Sequence, residues 1–176
     1  MKTIKYCTSC MYPETTPDLW FNDEGTCSAC ISFVNRTEID WVERKQEFLP
    51  ITERYKSIDG SNYDCIIPVS GVKDSTYQVI KVLQAGLHPL CFTAETDSLS
   101  ELGRRNLENL KRLGVDHVNV TPNPKVRRKL SRLALREVGD IQWAVPVTIF
   151  TILIQVAVEK NIPLIVWGEN SQHEYG

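Results

Sequence analysis

From residue 64 to residue 168 the chain alternates between short, continuously apolar runs and longer stretches with apolar positions at helical spacing. The pattern predicts a strand over Cys65–Val69, a helix from about Asp74 to Ala85 stopped by Gly86, and a strand over Pro89–Thr93. A second helix is expected from about Ser100 to Leu113, closed by Gly114, and a third strand over His117–Thr121. Asn123 can cap and Pro124 can open the next helix, which places Val126, Leu130, Leu133 and Ala134 on one side and ends at Gly139-Asp140. The run Pro146 to Lys160 reads as helix by its length and its polar line of Thr148, Thr151 and Gln155, and the last strand is Leu164–Trp167, before Gly168. Continuously apolar strands alternating with helices imply an α/β fold, a doubly wound parallel sheet with ligands at the carboxyl ends of its strands.

The first sixty residues lack this alternation. Thr37 to Phe48 has a Thr cap candidate and Trp41 and Phe48 at heptad spacing, so a connecting helix is expected there, bent or ended by Pro50. Asp59-Gly60-Ser61-Asn62 is a loop signal. The expected organisation is a cysteine module over 1–36, a linker helix over 37–60 and an α/β domain over 61–176.

Composition is that of a globular protein: 176 residues, 42% hydrophobic, 24% charged, with 20 basic against 22 acidic residues. The apolar fraction excludes disorder, and the small net charge of −2 excludes a whole-molecule footprint for nucleic acid or anionic membrane while leaving room for a local basic face. MKTIKYCTSC has no apolar run of a secretory signal, and Ala144 to Val158 is too short to span a bilayer, so a cytoplasmic protein with no membrane segment is expected.

Cys7, Cys10, Cys27 and Cys30 form two C-x2-C pairs with sixteen residues between them. This spacing suits a tetrahedral Zn2+ site whose four thiolates close the shell, leaving no open position for a catalytic water. The alternatives are disulfides, unrelated thiols, or a redox pair; the last normally opens a helix after a strand, a context that neither pair shows in sequence. Between the pairs, MYPETTPDLWFNDEGT has few core-forming residues, so metal is expected to supply the local stability. Cys65 and Cys91 lie in apolar strand runs and read as small buried hydrophobes.

Ser70-Gly71-Val72-Lys73-Asp74-Ser75 stands at the carboxyl end of the first strand and leads into a helix. Helix N-terminal N–H groups attract anions, Gly71 permits close approach, Ser70 and Ser75 add hydroxyls and Lys73 a mobile charge; Asp74 is a candidate for the helix cap or for Mg2+. Neither the dinucleotide nor the Walker-type glycine pattern is present.

The loop is similar to the S-G-G-x-D-S pyrophosphate loop of the ATP pyrophosphatase (PP-loop) superfamily, with Val72 as the departure. A narrower resemblance rests on CTSCMYPETTP, DEGTCSAC, SNYDCIIPVSGVKDSTYQ, ELGRRNLENLKRLGVDH and IPLIVWGENSQHEYG, which together resemble the N-acetyl sugar amidotransferase family. The resemblance implies an adenine-nucleotide alpha-hydrolase-like fold and a reaction in which ATP adenylates an acetamido oxygen and ammonia displaces AMP to give an acetamidino sugar, for surface polysaccharide or sialic-acid-like sugars. It implies a nucleotide-activated acetamido sugar as substrate, a glutaminase subunit as ammonia donor, and ATP with Mg2+. On this reading Lys73 and Asp74 are catalytic, while Ser70, Gly71, Val72, Ser75 and Thr93 hold the nucleotide, with Phe92-Thr93-Ala94 near the adenine. A β-branched Val72 is expected to resist positive φ and to lower activity relative to glycine. Members of the family continue beyond the last segment, so this chain alone is expected to be a poor amidotransferase.

Glu169 and Asn170 follow the last strand and are candidates for the substrate or ammonia site, against a capping role; His173 is a weaker candidate, and His88 and His117 read as surface or packed residues. Arg128, Arg132 and Arg136 make an i, i+4, i+8 basic line that could meet phosphates or simply be a solvated face. Two other functions compete: a tRNA-thiolating enzyme of the same superfamily, against which Cys65 and Cys91 are placed in strands, and a non-catalytic zinc-containing assembly module.

Overall fold

The structure, a computed structural model, describes residues 3–36, 39–96 and 99–169. The chain divides into two compact units, the first ending at Phe48 and the second beginning at Leu49.

In the first unit the chain makes two small antiparallel contacts, Tyr6 with Pro13 and Phe21 with Cys27, and then helix α1 (Ser28–Asn35). Met11 and Gly25 take positive φ at the tips of these turns, 64° and 79°. Both units contribute to helix α2 (Trp41–Tyr55). Asp40 starts α2 by accepting from the N–H groups of Val42 and Glu43 at 2.9 and 3.1 Å. The expected cap, Thr37, lies outside the described residues. Of the two outcomes expected at Pro50, bending or ending the helix, ending does not occur: α2 runs on to Tyr55. Most of α2 is solvent-exposed, so water can satisfy the carbonyl that the missing Pro50 N–H would have served.

The second unit is the parallel sheet. Strands β1 (Cys65–Pro68), β2 (Pro89–Ala94) and β3 (Asp116–Val120) are hydrogen-bonded in the order β1-β2-β3, all parallel, with Cys65 opposite Pro89 and Leu90 opposite Asp116. They alternate with helices α3 (Lys73–Gln84), α4 (Glu101–Lys111), α5 (Pro124–Glu137) and α6 (Ala144–Glu159). Ser100 caps α4 by accepting from the Gly103 N–H, and Asn123 caps α5, with Pro124 in its first turn.

Alternation of side chains splits the core into two layers. Cys65, Ile67, Val69 and Cys91 pack with Val79 and Val82 of α3 and Leu107 and Leu110 of α4. Ile66, Leu90 and Phe92 pack on the other face with Leu153, Val156 and Ala157 of α6. Helices on both faces make the fold the doubly wound α/β sheet that the sequence pattern implies.

The fourth strand expected over Leu164–Trp167 is reduced to one parallel bridge, Ile165 with Ile66. Ile66 donates to the Leu164 carbonyl at 2.9 Å, and its own carbonyl accepts from the Val166 N–H at 3.0 Å. The next rung of a parallel ladder needs an N–H at residue 68, which is proline, so the pairing stops. This segment nevertheless lies beside β1 on the side away from β2, so the strand order reverses between it and β1. Among the described residues no helix is long and apolar enough to cross a membrane.

Candidate functional site: a loop at the strand-order reversal and a four-cysteine cluster

The chain leaves β1 through Val69, whose N–H donates to the Phe92 carbonyl at 2.8 Å, and enters Ser70–Ser75 directly. This loop sits at the carboxyl end of β1, next to the reversal point where open α/β sheets form their ligand crevice. Gly71 has φ +77°, and a Cβ there would stand 3.1 Å from Leu107 Cγ and 3.2 Å from the Gly103 carbonyl oxygen. Positive φ and the approach of α4 both demand glycine. Val72 takes φ −97° and ψ 172°, an extended conformation open to any residue, and its side chain is 54% exposed. The expected strain at Val72 is therefore absent, because the left-handed residue of this turn is Gly71 alone.

Val72 is the N-cap position of α3 and supplies no side-chain cap. Asp74 does not cap α3 either; it lies one residue inside the first turn. Ser75 and Thr76 direct their hydroxyls to the Val72 carbonyl at 3.1 and 3.0 Å, and Ser75 Oγ also accepts from the Ser70 N–H at 3.4 Å. Those bonds hold the loop in a tight arc while the described hydrogen bonds leave the N–H groups of Gly71, Val72, Lys73 and Asp74 without a protein acceptor. Lys73 and Asp74 project into solvent, 91% and 82% exposed at the side chain, with Nζ 3.8 Å from Oδ1. A set of unpaired amides at a helix N-terminus, flanked by an exposed ammonium, is a donor surface for a polyanion.

Thr93 is 6% exposed, and its hydroxyl donates to the Val69 carbonyl at 2.7 Å and stands 2.8 Å from His117 Nε2. The side chain expected near the adenine is thus already engaged with Val69, at the root of the Ser70–Ser75 loop. Burial, and then Lys111, hold the His117 imidazole below its ordinary pKa. No sequence signal marked this pair, since a lone His ahead of a strand has no spacing to betray its partner. Asp64 was also missed: it is buried and its carboxylate accepts from the N–H groups of Ser57 and His88, tying the entry of β1 to that of β2. Glu169 is exposed, and Asn170 lies outside the described residues, as does His173. The loop and Glu169 both follow the carboxyl ends of neighbouring sheet segments. His88 is exposed and its ring meets Tyr63 at 5.0 Å, a packing role.

Cys7, Cys10, Cys27 and Cys30 converge in the first unit with their sulfur atoms all within 4.8 Å of one another. Cys7 and Cys30 are 4.0 Å apart and Cys10 and Cys27 3.5 Å. A tetrahedral Zn2+ with four bonds of about 2.3 Å places its sulfurs about 3.8 Å apart, so the four cysteines fit that ion. Cys7 and Cys10 come from a turn closed by the Cys7 N–H on the Tyr12 carbonyl at 2.8 Å. The second pair departs from the sequence expectation: Cys27 leaves an antiparallel bridge and is the N-cap residue of α1, with Cys30 inside the helix. It does open a helix after an extended residue, but each of its sulfurs is approached by one from the first pair, which a two-cysteine redox centre lacks.

Burial pushes the Cys7 thiol up, yet backbone N–H groups of Cys10, Cys27 and Ser9 hold it down at about 6. The neighbouring Cys10 sulfur, and then burial, push Cys30 up to about 12. Without a cation the cluster keeps its protons unevenly; a divalent ion would balance all four thiolates. Cys65 and Cys91, both buried in the strands, are pushed up to about 12 chiefly by burial, as befits packed thiols.

No protein-family model matches the chain, and no curated relative matches it by sequence. Among solved structures, it is similar to NMN synthetase from Francisella tularensis, with a TM-score of 0.52 and 16% identity over 73% of this chain and 54% of that one. A predicted subunit of tRNA methyltransferase from Methanocaldococcus jannaschii also matches, with a TM-score of 0.45, 18% identity, and coverage of 61% of this chain and 53% of that one. The chain therefore spans about half the length of either structure. The likeness to NMN synthetase shows the fold, a parallel α/β sheet, here preceded by a four-cysteine module.

Proposed function

We propose that this chain is the nucleotide-binding part of an ATP-dependent amidotransferase that converts an acetamido sugar into an acetamidino sugar. The observation that carries the reading is the Ser70–Ser75 loop, with its unpaired amides and exposed Lys73 at the carboxyl end of β1. An amide oxygen is a poor leaving group. The acetamido oxygen attacks the α-phosphorus of ATP, pyrophosphate departs, and an O-adenylated imidate remains. Ammonia adds at the imidate carbon and loses a proton, and AMP leaves with the oxygen. The amides of Gly71 to Asp74 would receive the departing pyrophosphate while Lys73 offsets its charge, and Ser70 and Ser75 would fix the loop around it. Asp74 would hold Mg2+, which would supply further charge neutralisation. Ammonia would come from a glutaminase partner, and Glu169 and Asn170 are candidates to face the sugar. Zn2+ on Cys7, Cys10, Cys27 and Cys30 would be structural.

Sulfur transfer to tRNA is disfavoured by one observation: Cys65 and Cys91 are fully buried and keep their protons, so neither presents a thiolate. The test supplies the chain with ATP, ammonia and a panel of nucleotide-activated acetamido sugars bearing a heavy-oxygen label in the acetamido group. Label recovered in AMP supports adenylation of the amide. Tight tRNA binding with a steep salt dependence and no AMP would favour thiolation instead.

A further inference from the structure

We infer that His117 is a positioning residue that sets the root of the phosphate loop through Thr93. The contact joins two strands to the residue that follows β1. His117 lies in β3, Thr93 in β2, and Val69, whose carbonyl Thr93 holds, is the residue immediately before Ser70. A carbonyl only accepts, so the single Thr93 hydroxyl proton is assigned to the 2.7 Å bond to Val69. The Thr93 oxygen is then left to accept, and the 2.8 Å contact with His117 Nε2 requires a proton on that nitrogen. The imidazole therefore carries its proton on Nε2, leaving Nδ1 bare. The neutral ring that burial favours at His117 is compatible with this tautomer.

The relay matters because the next residues are constrained on both sides. Val69 is fixed from β2 by the bond from its N–H to Phe92, and Gly71 is pressed against Leu107 and Gly103 with a positive φ. The peptide plane entering Ser70 is held by two side chains, Thr93 on the Val69 carbonyl at 2.7 Å and Ser75 Oγ on the Ser70 N–H at 3.4 Å, and the Thr93 bond is the shorter. A Thr93 hydroxyl without the His117 donor can rotate to other acceptors, freeing the carbonyl and loosening the direction in which the amides of Gly71 to Asp74 point. A preorganised donor set loses affinity when its direction is no longer fixed. This inference rests on the reading of the loop as a phosphate cradle, and its test separates the two.

The experiment compares the full chain with His117→Phe, His117→Gln, Thr93→Val and the His117→Phe/Thr93→Val pair. Nitrogen NMR of the wild type should show the Nε2-protonated tautomer of His117 at neutral pH. His117→Phe and Thr93→Val should each weaken Mg·ATP binding about tenfold, the loss of one buried hydrogen bond. The pair should be no weaker than either alone, because both break one relay. His117→Gln keeps a side-chain N–H donor and should restore most of the affinity, a rescue that generic core packing would not give. Amide resonances of Gly71 to Asp74 should broaden in His117→Phe and Thr93→Val, whether or not nucleotide binds. Thr93→Val is close in shape to the native residue, so it tests the relay even where the Phe variant does not fold. An Nδ1-protonated His117, or loop resonances unchanged in Thr93→Val, would overturn the inference. Absence of Mg·ATP binding in the wild type would overturn the nucleotide reading, while the resonances of the loop still decide for or against the relay.

Discussion

Gln78 donates from Nε2 to the Val166 carbonyl at 2.7 Å, on the rung of the sheet where Pro68 has no N–H to offer. A side chain of α3 thereby does the work of a missing backbone donor and ties the segment before Glu169 to α3. The same side chain lies 2.7 Å from where a Gly168 Cβ would be, so glycine there leaves room for it.

Replacing Gln78 with Leu should cost about 1 kcal/mol of unfolding free energy by removing this bond. Urea denaturation reads the cost, and a midpoint equal to that of the wild type would show that water replaces the amide at no loss.

Gly71→Ala and Val72→Gly should behave in opposite senses. Alanine at a φ of +77°, against Leu107 and the Gly103 carbonyl, should destabilise by about 2 kcal/mol and weaken nucleotide binding. Val72→Gly acts on an extended, half-exposed residue, so nucleotide affinity should stay within about twofold while stability falls by about 0.5 kcal/mol. Calorimetric titration of both variants with Mg·ATP checks the pair.

The purified chain should hold one zinc ion, and its affinity should fall with pH. Binding displaces the protons that Cys30, pushed up to about 12, and Cys10, also raised above the ordinary thiol value, keep through neutrality, so affinity drops at least about a hundredfold for each pH unit that the pH is lowered. Below about pH 6 the Cys7 thiol also takes up a proton, and the slope should steepen. Competition with a zinc indicator between pH 5 and pH 8, on the order of one titration per half unit, measures the slope. A pH-independent affinity would mean that the thiols are already ionised without metal.

Cys65 and Cys91 should resist alkylation in the folded chain at pH 8 and react only on unfolding, since burial holds both thiols near 12. Mass spectrometry after iodoacetamide treatment distinguishes them from the cluster cysteines once metal is removed.

The alternation of apolar runs and helices was legible because β1 and β2 are buried on both faces and α3 and α4 are followed by glycine stops at Gly86 and Gly114. The last strand was over-read because an apolar run does not reveal that Pro68, on the neighbouring strand, interrupts its ladder. Pro50 left bending or ending open for a related reason: whether a proline ends a helix depends on who serves the carbonyl it strands, and α2 lies in water there. Local spacing located the cysteine cluster and placed the Ser70–Ser75 turn between a strand and a helix. Thr93, His117 and Asp64 bind partners about 24 residues away through single contacts, and no local periodicity encodes such pairs.

Isothermal titration of the full chain with Mg·ATP, beside Lys73→Ala and Asp74→Ala, tests the loop's role most directly. Both side chains are exposed and their mutual ion pair is worth little, so neither change should move the melting temperature by more than about 1 °C. One site per chain is expected, with Lys73→Ala weakening binding at least about tenfold and Asp74→Ala removing most of its Mg2+ dependence. A wild type that binds no nucleotide, or two variants that bind it as the wild type does, would contradict the assignment of this loop.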